Sequence, residues 1–443
     1  MEKTVQNILD FFNTFIFGPA LPFVVFAFGG WLFIKYGLFI ICRPQKIISV
    51  ITRKNTKDGI SPFKTAMLAL ASTLGVGNIV GVSTAIYSGG PGAVFWLTLS
   101  AFAAMPLKYG EVVLAMKTRE NKNGEYRGGA MYYMRKLLKS KTLPVIFAFL
   151  CIVNAFTVGN IVQINAVTES FEKFFSAKPI FIGTLMSVII FLSISKGTKR
   201  VSGITSKLIP LATAIYTLLS LYIIIVNFGK LGSVLSLIIK EAFSVKAAIG
   251  GVGGYAITRA MRYGVARGIM SNEAGSGTSP IAHAKSNLES PAEQGFWGIF
   301  EVFADTVVMC NLTALVILFS YTEGVVEKGL TGMELVLFSY SKYAGNIAGY
   351  IIVISVFLFA YATVICQGFY GRECVYYLSE KKAYTSIYTL LYCLAVVYAS
   401  QISGKLLWSL TDFNISLMTL INTVCILILS NEIKKETDAY FAE

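Results

Sequence analysis

Ser72, Thr73, Gly75, Gly77, Asn78 and Gly81 lie within one apolar run, ALASTLGVGNIVGVSTAIYSGGPG (69–92). Polar groups at that depth need internal partners, because hydrocarbon offers none. Close packing between helices explains only the GxxxG pair Gly77 and Gly81. It leaves the hydroxyls and the Asn78 amide unaccounted for. Together they predict an unwound stretch whose freed carbonyls and hydroxyls can coordinate a small hard cation, while the amides opening the next half-helix can hold a carboxylate. A second cluster, Gly250, Gly251, Gly253 and Gly254 in AAIGGVGGYAITRAMRYG (247–264), predicts a second break.

Other chemistries find little footing. Gly75-Val-Gly77-Asn-Ile-Val-Gly81 misses the dinucleotide spacing by one residue, and there is no phosphate-binding loop. The sequence therefore implies no organic cofactor. A single histidine, His283, cannot build a zinc site and reads as a polar contact in a turn. The cysteines (42, 151, 310, 366, 374, 393 and 425) form no CxxC pair and read as small buried apolar residues. Glu301 and Asp305 share a helix face at i, i+4, with Arg259, Arg262 and Arg267 in the preceding region. Arg262, Glu301 and Asp305 are expected to form a gate or structural ion pairs, Arg262 with Asp305 among them. Lys108 and Glu111 form a similar pair, and Glu273 is expected to fix a cytoplasmic turn.

These residues need long apolar elements to position them. Of the 443 residues, 55% are hydrophobic and only 14% charged, with mean hydropathy +0.65. A soluble domain carries about 25% charged residues. Eleven apolar segments are legible: 15–41, 61–87, 91–116, 143–170, 179–195, 205–228, 242–270, 294–321, 344–371, 383–402 and 406–430. Most approach the roughly 20 residues a helix needs to cross a bilayer. Continuous runs exclude a β-barrel, which would alternate over about 10 residues.

The net charge of +14 does not call for nucleic acid, because the basic residues flank these segments. Of 38 Lys and Arg, 28 fall in alternate connections on one side and 9 on the other, with Lys35 inside the first segment. This bias predicts an outside N-terminus and a cytoplasmic C-terminus, in the inner (plasma) membrane. The N-terminus lacks the features of a cleaved signal, so the first segment is expected to remain. With 15–41 as an additional helix, ten segments divide into 61–228 and 242–430, five each. Each set opens with a glycine-broken helix, the pattern of a carrier built from inverted repeats with its site at the midplane. A zwitterionic amino acid and a hard cation suit such a site.

Three stretches carry a family resemblance: GNIVGVSTAIYSGGPGAVFW (77–96), GNIVQINAV (159–167) and YGVARGIMSNEAGSGTSPIAHA (263–284), continued by QGFWGIFEVFADTVVMCNLTALVIL (294–318). The sequence resembles the alanine or glycine:cation symporters of the leucine-transporter fold over nearly its whole length. That resemblance implies an all-α integral membrane protein of 5+5 inverted-repeat architecture, driven by Na+ and working by alternating access. It implies that Gly75, Val76, Gly77 and Asn78 border a small neutral amino acid. Gln163 and Asn160 approach from the fourth segment, and Gly250 to Gly254 from the seventh. It also implies Na+ held by Ala71, Leu74, Ala360 and Thr363.

Two departures bear on the substrate. The family carries Thr where this chain has Val76, and an indole where it has Gln367. If Gln367 borders the pocket, a larger polar amino acid such as glutamine or serine is the alternative cargo. Among other classes, a channel would call for a repeated filter or charged ring, which is absent. A sensor is expected to carry a signalling domain, and only a short tail follows Ser430. A membrane enzyme would need a catalytic constellation, and none is legible.

Overall fold

The computed structural model describes residues 2–37, 43–53, 59–122, 124–243, 252–322, 324, 329–402 and 405–442. The chain runs α1 (Thr4–Lys35), α2 (Pro44–Thr52), α3 (Pro62–Thr73), α4 (Val80–Gly89) and α5 (Ala93–Thr118). A short antiparallel hairpin follows, β1 (Glu120–Lys122) and β2 (Glu125–Arg127). Then come α6 (Ala130–Lys136), α7 (Leu143–Phe175), α8 (Pro179–Ile194), α9 (Thr198–Val226), α10 (Leu231–Ala242), α11 (Val252–Asn272) and α12 (Pro280–His283). The last elements are α13 (Pro291–Tyr321), α14 (Gly332–Leu378), α15 (Lys382–Ala399), α16 (Lys405–Ile428) and α17 (Ser430–Ala442). Proline opens α3, α7, α8 and α13 in the first turn, where its missing N–H leaves nothing unpaired.

Every apolar segment read from the sequence contains a helix. Among the described residues seven are long and apolar enough to cross a membrane, or eight with the bent pair α3 and α4 taken as one. The helices α8, α11 and α15 supply the remaining segments but fall below that length or hydropathy. Around the outside, α8 and α9 expose large apolar side chains, Phe181 at 67%, Leu218 at 68% and Ile225 at 69%. A belt of this kind suits lipid contact, not water.

In the interior, α5 packs against α11 and α13, while α14 runs against α7 and α9. The path from α3 to α4 bends by 59°. Gly75 occupies the bend because a Cβ there would stand 2.7 Å from Thr363 Oγ1 and 2.8 Å from Gln163 Oε1. The amides freed by the bend find side-chain acceptors. Gly75 N–H donates to Asn78 Oδ1 (3.1 Å) and Val76 N–H to Gln163 Oε1 (2.9 Å).

The second break lies elsewhere than the glycine count predicted. Gly253 and Gly254 are helical residues of α11, and Gly250 and Gly251 lie outside the described residues. The chain instead leaves the helix after Asn272 and resumes one at Pro280. Between them Gly275 (φ +77°) and Gly277 (φ +79°) adopt the left-handed conformation that favours glycine. Ala274 N–H donates to Asn272 Oδ1 (2.9 Å), and Gly277 N–H to Glu111 Oε2 (3.0 Å).

Candidate functional site

A cavity of about 1120 Å³ opens on the side of the molecule that carries Asp10 and Asn13. Its walls include Thr84, Tyr87, Glu169, Trp408 and Asp412, and Val80 and Val162 lie on its lining. Arg267 of α11 binds Asp412 of α16 through two parallel contacts of 2.9 Å, with its guanidinium 5.5 Å from the Trp408 ring. Val162, Met270 and Ile415 pack beside Trp408 as a small apolar layer.

The two broken helices meet through Asn78. The amide donates to Asp305 Oδ1 (2.7 Å) and to the Asp305 carbonyl (3.1 Å). Ser271 Oγ, at the end of α11, donates to Asp305 Oδ2 (2.8 Å), and Thr306 Oγ1 donates to the same oxygen (2.7 Å). Cys310 Sγ stands 3.4 Å from both Asn78 and Ser271. A Cβ on Gly77 would touch Ser271 Cα at 3.5 Å, so the breaks are in van der Waals reach. Asp305 is fully buried and has no cationic partner among the described residues. An acceptor-rich, desolvated carboxylate in this position can hold a cation. No cluster of three or more His, Cys, Asp or Glu suited to a metal ion occurs among the described residues.

Local helix geometry sets these positions. Phe303–Cys310 forms a π-helical stretch within α13, and Thr157–Ile161 forms another within α7. Such widened turns shift the register of the side chains beyond them and recur at functional sites. The first carries Asp305 and Thr306; the second ends two residues before Gln163.

Gly75, Val76, Asn78 and Gln163 meet at the bend through the amides of Gly75 and Val76. Thr363 faces Gly75 and donates to the Phe359 carbonyl (3.0 Å), with Ala360 buried on the same helix. Ala71 lies in the last turn of α3, and Leu74 is the first residue beyond it. Asn160 instead turns toward α15, donating to the Tyr392 carbonyl (2.9 Å). Gln367 donates to Glu273 Oε1 (2.6 Å) and packs against Gly159.

The expected pairing of Arg262 with Asp305 is absent. Arg262 reaches Asn13 O (3.3 Å) and Thr14 Oγ1 (3.2 Å) on the N-terminal side, because α11 continues past the predicted break. Arg259, Arg262 and Arg267 therefore belong to the sparsely basic side, which weakens the charge bias without reversing it. Glu301 is ion-paired, but with Lys108 (3.3 Å). Glu273 lies buried in the turn that forms the second break, where Thr278 Oγ1 donates to it (2.6 Å). His283 is likewise fully buried, against Glu301. Ser271 and Thr306 went unrecognised. The SNEAG and FADT blocks contain them, but their role depends on contacts distant in sequence.

Residues 2–443 match the sodium:alanine symporter family. The chain belongs to that family. It is accordingly a secondary transporter and a multi-pass membrane protein. The sodium/alanine symporter AgcS of Methanococcus maripaludis is 33% identical over 446 residues, covering 98% of this chain and 97% of that one. The probable sodium/glutamine symporter GlnT of Bacillus subtilis is 30% identical over 433 residues, covering 97% and 89%. Among solved structures, MhsT in complex with L-phenylalanine superposes with a TM-score of 0.61 at 13% identity, covering 83% of this chain and 89% of that one. A Na+-coupled sialic acid symporter gives 0.53 at 11% identity, covering 95% and 86%. These structures share the leucine-transporter fold with this chain.

Proposed function

We propose that the protein moves Na+ and a small neutral amino acid together into the cell by alternating access. The observation that carries this reading is the Asn78–Asp305–Ser271 junction, where both broken helices and a buried carboxylate converge. One Na+ binds at that junction. The amino acid lies beside Gly75, Val76, Gly77, Asn78 and Gln163, with its carboxylate toward the amides that open α4. A second Na+ is held by the carbonyls of Ala71, Leu74 and Ala360 and the hydroxyl of Thr363. The Thr363 hydroxyl's approach to Gly75 supports this assignment. The eleven segments span the plasma membrane, with 15–41 outside the two five-helix sets 61–228 and 242–430. The N-terminus is outside and the C-terminus cytoplasmic, so the cavity faces outward.

Cation and amino acid raise each other's affinity by the same factor. In proteoliposomes, labelled alanine uptake requires an inward Na+ gradient and disappears when choline replaces Na+. Uptake unchanged in choline would overturn the coupling. A second reading, a larger polar amino acid such as glutamine, is favoured by the Gln367–Glu273 contact near the second break. Competition by unlabelled glutamine against alanine separates the two.

A further inference from the structure

A second cavity, of about 410 Å³, opens where the hairpin, the end of α14 and the first turns of α9 and α15 meet. It shares no lining residue with the larger cavity, and its volume is within the roughly 300–1,000 Å³ of small-molecule sites. Four basic side chains line it: Lys122, Arg127, Arg372 and Lys382. Only two carboxylates stand against them, Glu125 and Glu373, so four minus two leaves an excess of two positive charges. Basic residues beside a membrane span ordinarily serve orientation alone. Orientation does not require them to converge on one cavity.

The ion pairs indicate which of these charges remain to bind something. Arg127 donates to both oxygens of Glu373 at 2.8 Å, and Lys285 donates to Oε2 at 2.8 Å, so that carboxylate is already held between two cations. Lys122 pairs with Glu380. Arg372 gives one nitrogen to the Ile194 carbonyl at the end of α8 (2.9 Å). Neither Arg372 nor Lys382 meets a carboxylate among the described residues. Thr198, the first residue of the 29-residue α9, lies on the same wall and sets the positive end of that helix there. Thr385 and Ser386 add two hydroxyls. Guanidinium, ammonium, hydroxyls and a helix N-terminus together are the donors that hold a phosphate group.

The source of the phosphate follows from what adjoins the cavity. Ser386 lines it, and Ile387, the next residue, begins an exposed apolar stripe on α15: Ile387, Leu391, Leu394 and Tyr398. At i, i+4, i+7 and i+11 these residues share one helix face. Eleven residues of helix rise about 16 Å, against about 15 Å for the hydrocarbon of one leaflet. Packed against α15, α8 exposes Val188, Phe191 and Leu192 and widens the same face. We propose that the cavity binds the phosphate of an anionic phospholipid, with its acyl chains lying along α15 and α8. Arg372 and Lys382 hold the anion, and Thr198 with the opening of α9 meets its oxygens. A free phosphate would satisfy the same donors but would make no use of the apolar stripe.

The test is native mass spectrometry of the full chain in a neutral detergent, titrated with phosphatidylglycerol or with phosphatidylcholine of the same acyl chains. The second lipid carries the same phosphate beside a compensating cation. Wild type should bind phosphatidylglycerol about fivefold or more tightly than phosphatidylcholine, and Arg372→Gln and Lys382→Gln should each weaken that binding about fivefold. Lys139→Gln removes an exposed charge outside the cavity and should leave it unchanged. Lys382 is exposed, so Lys382→Gln decides if Arg372→Gln does not fold. Equal binding of the two lipids, a Lys382→Gln variant that binds as wild type, or an equal loss in Lys139→Gln overturns the proposal. Displacement of phosphatidylglycerol by inorganic phosphate in large excess, with the phosphate retained in its place, overturns the lipid in favour of the free anion. No transport is measured, so the outcome is independent of the carrier reading.

Discussion

Replacing Asp305 by asparagine keeps the volume of the side chain and removes its charge. The carboxylate receives Asn78, Ser271 and Thr306, at 2.7, 2.8 and 2.7 Å, all neutral donors. Both hydroxyls can rotate to meet an amide, so the fold tolerates the change. A cation at the junction loses a desolvated anionic partner. A hydrogen bond to a charged group is worth about 1.5–3 kcal/mol net, a fair lower guide to a buried ion contact. Every 1.4 kcal/mol is a factor of about ten in affinity, so the Na+ concentration for half-maximal uptake should rise about 10- to 100-fold. The assay is alanine uptake into proteoliposomes across a Na+ titration, with choline holding ionic strength. At saturating Na+ the apparent alanine affinity should recover most of its wild-type value. An unchanged Na+ midpoint in a transporting Asp305→Asn variant would show that no ion uses this carboxylate.

Two further predictions follow from local geometry. Gly75→Ala puts a Cβ 2.7 Å from Thr363 Oγ1 and should lower uptake about tenfold or more, as misplacement of a binding segment does. Gly77→Ala meets Ser271, no closer than 3.5 Å, and should be far milder; equal effects would refute the crowding argument. At the C-terminus, Lys117 contacts Glu432 (2.7 Å) and Glu436 (2.9 Å), and its hydrogen bond and charge hold the Glu432 carboxyl below its ordinary value. That stabilisation is present above the ordinary carboxylate range and is lost as pH falls through the lowered value. It should amount to under about 1 kcal/mol. Protection factors of the α17 amides, taken relative to the intrinsic exchange rate at each pH, should therefore fall a few-fold from pH 7 to pH 4 in wild type, whereas Lys117→Ala should show the lower protection at both.

The first break was legible because its glycines coincide with polar residues that serve it locally. Asn78 accepts from Gly75 only three residues away. The second was misplaced because glycine density is a poor guide to unwinding. A helix opens where freed amides and carbonyls find other partners, and here those partners are Glu111 and Asn422. No local pattern connects residues 111, 277 and 422. The same non-locality hid Ser271 and the partners of His283, which are Glu301 and Gln294. Helical class depends on composition along the chain, which explains why it was readable. Asp305 looked like a partner for Arg262 because helix spacing fixes which face a residue occupies but not the height of a neighbouring helix. Once α11 runs unbroken to Asn272, Arg262 lies at the level of Asn13.

The contacts also constrain which pieces can move. Asn287 N–H, just beyond α12, donates to the Ile60 carbonyl just before α3 (2.9 Å), and Ile60 pairs in parallel with Ser286. The two half-helices are therefore stitched at the ends away from the Asp305 junction and should travel as one body. What holds that body shut is polar: Lys108 to Ser279, His283 to Glu301, Gln294 to Thr65, and Arg119 to the carbonyls of Ser286 and Leu288. Water can replace each of these partners on opening, whereas an apolar seal would have to expose its whole area. The junction at Asp305 lies at the top of this body, where Ser271 and Asn78 meet. An ion that tightens that junction draws the two breaks together, and any resulting strain falls on the polar seal beneath. Coupling between a cation at the junction and the polar contacts at the far end of this body then needs no route longer than the two broken helices themselves.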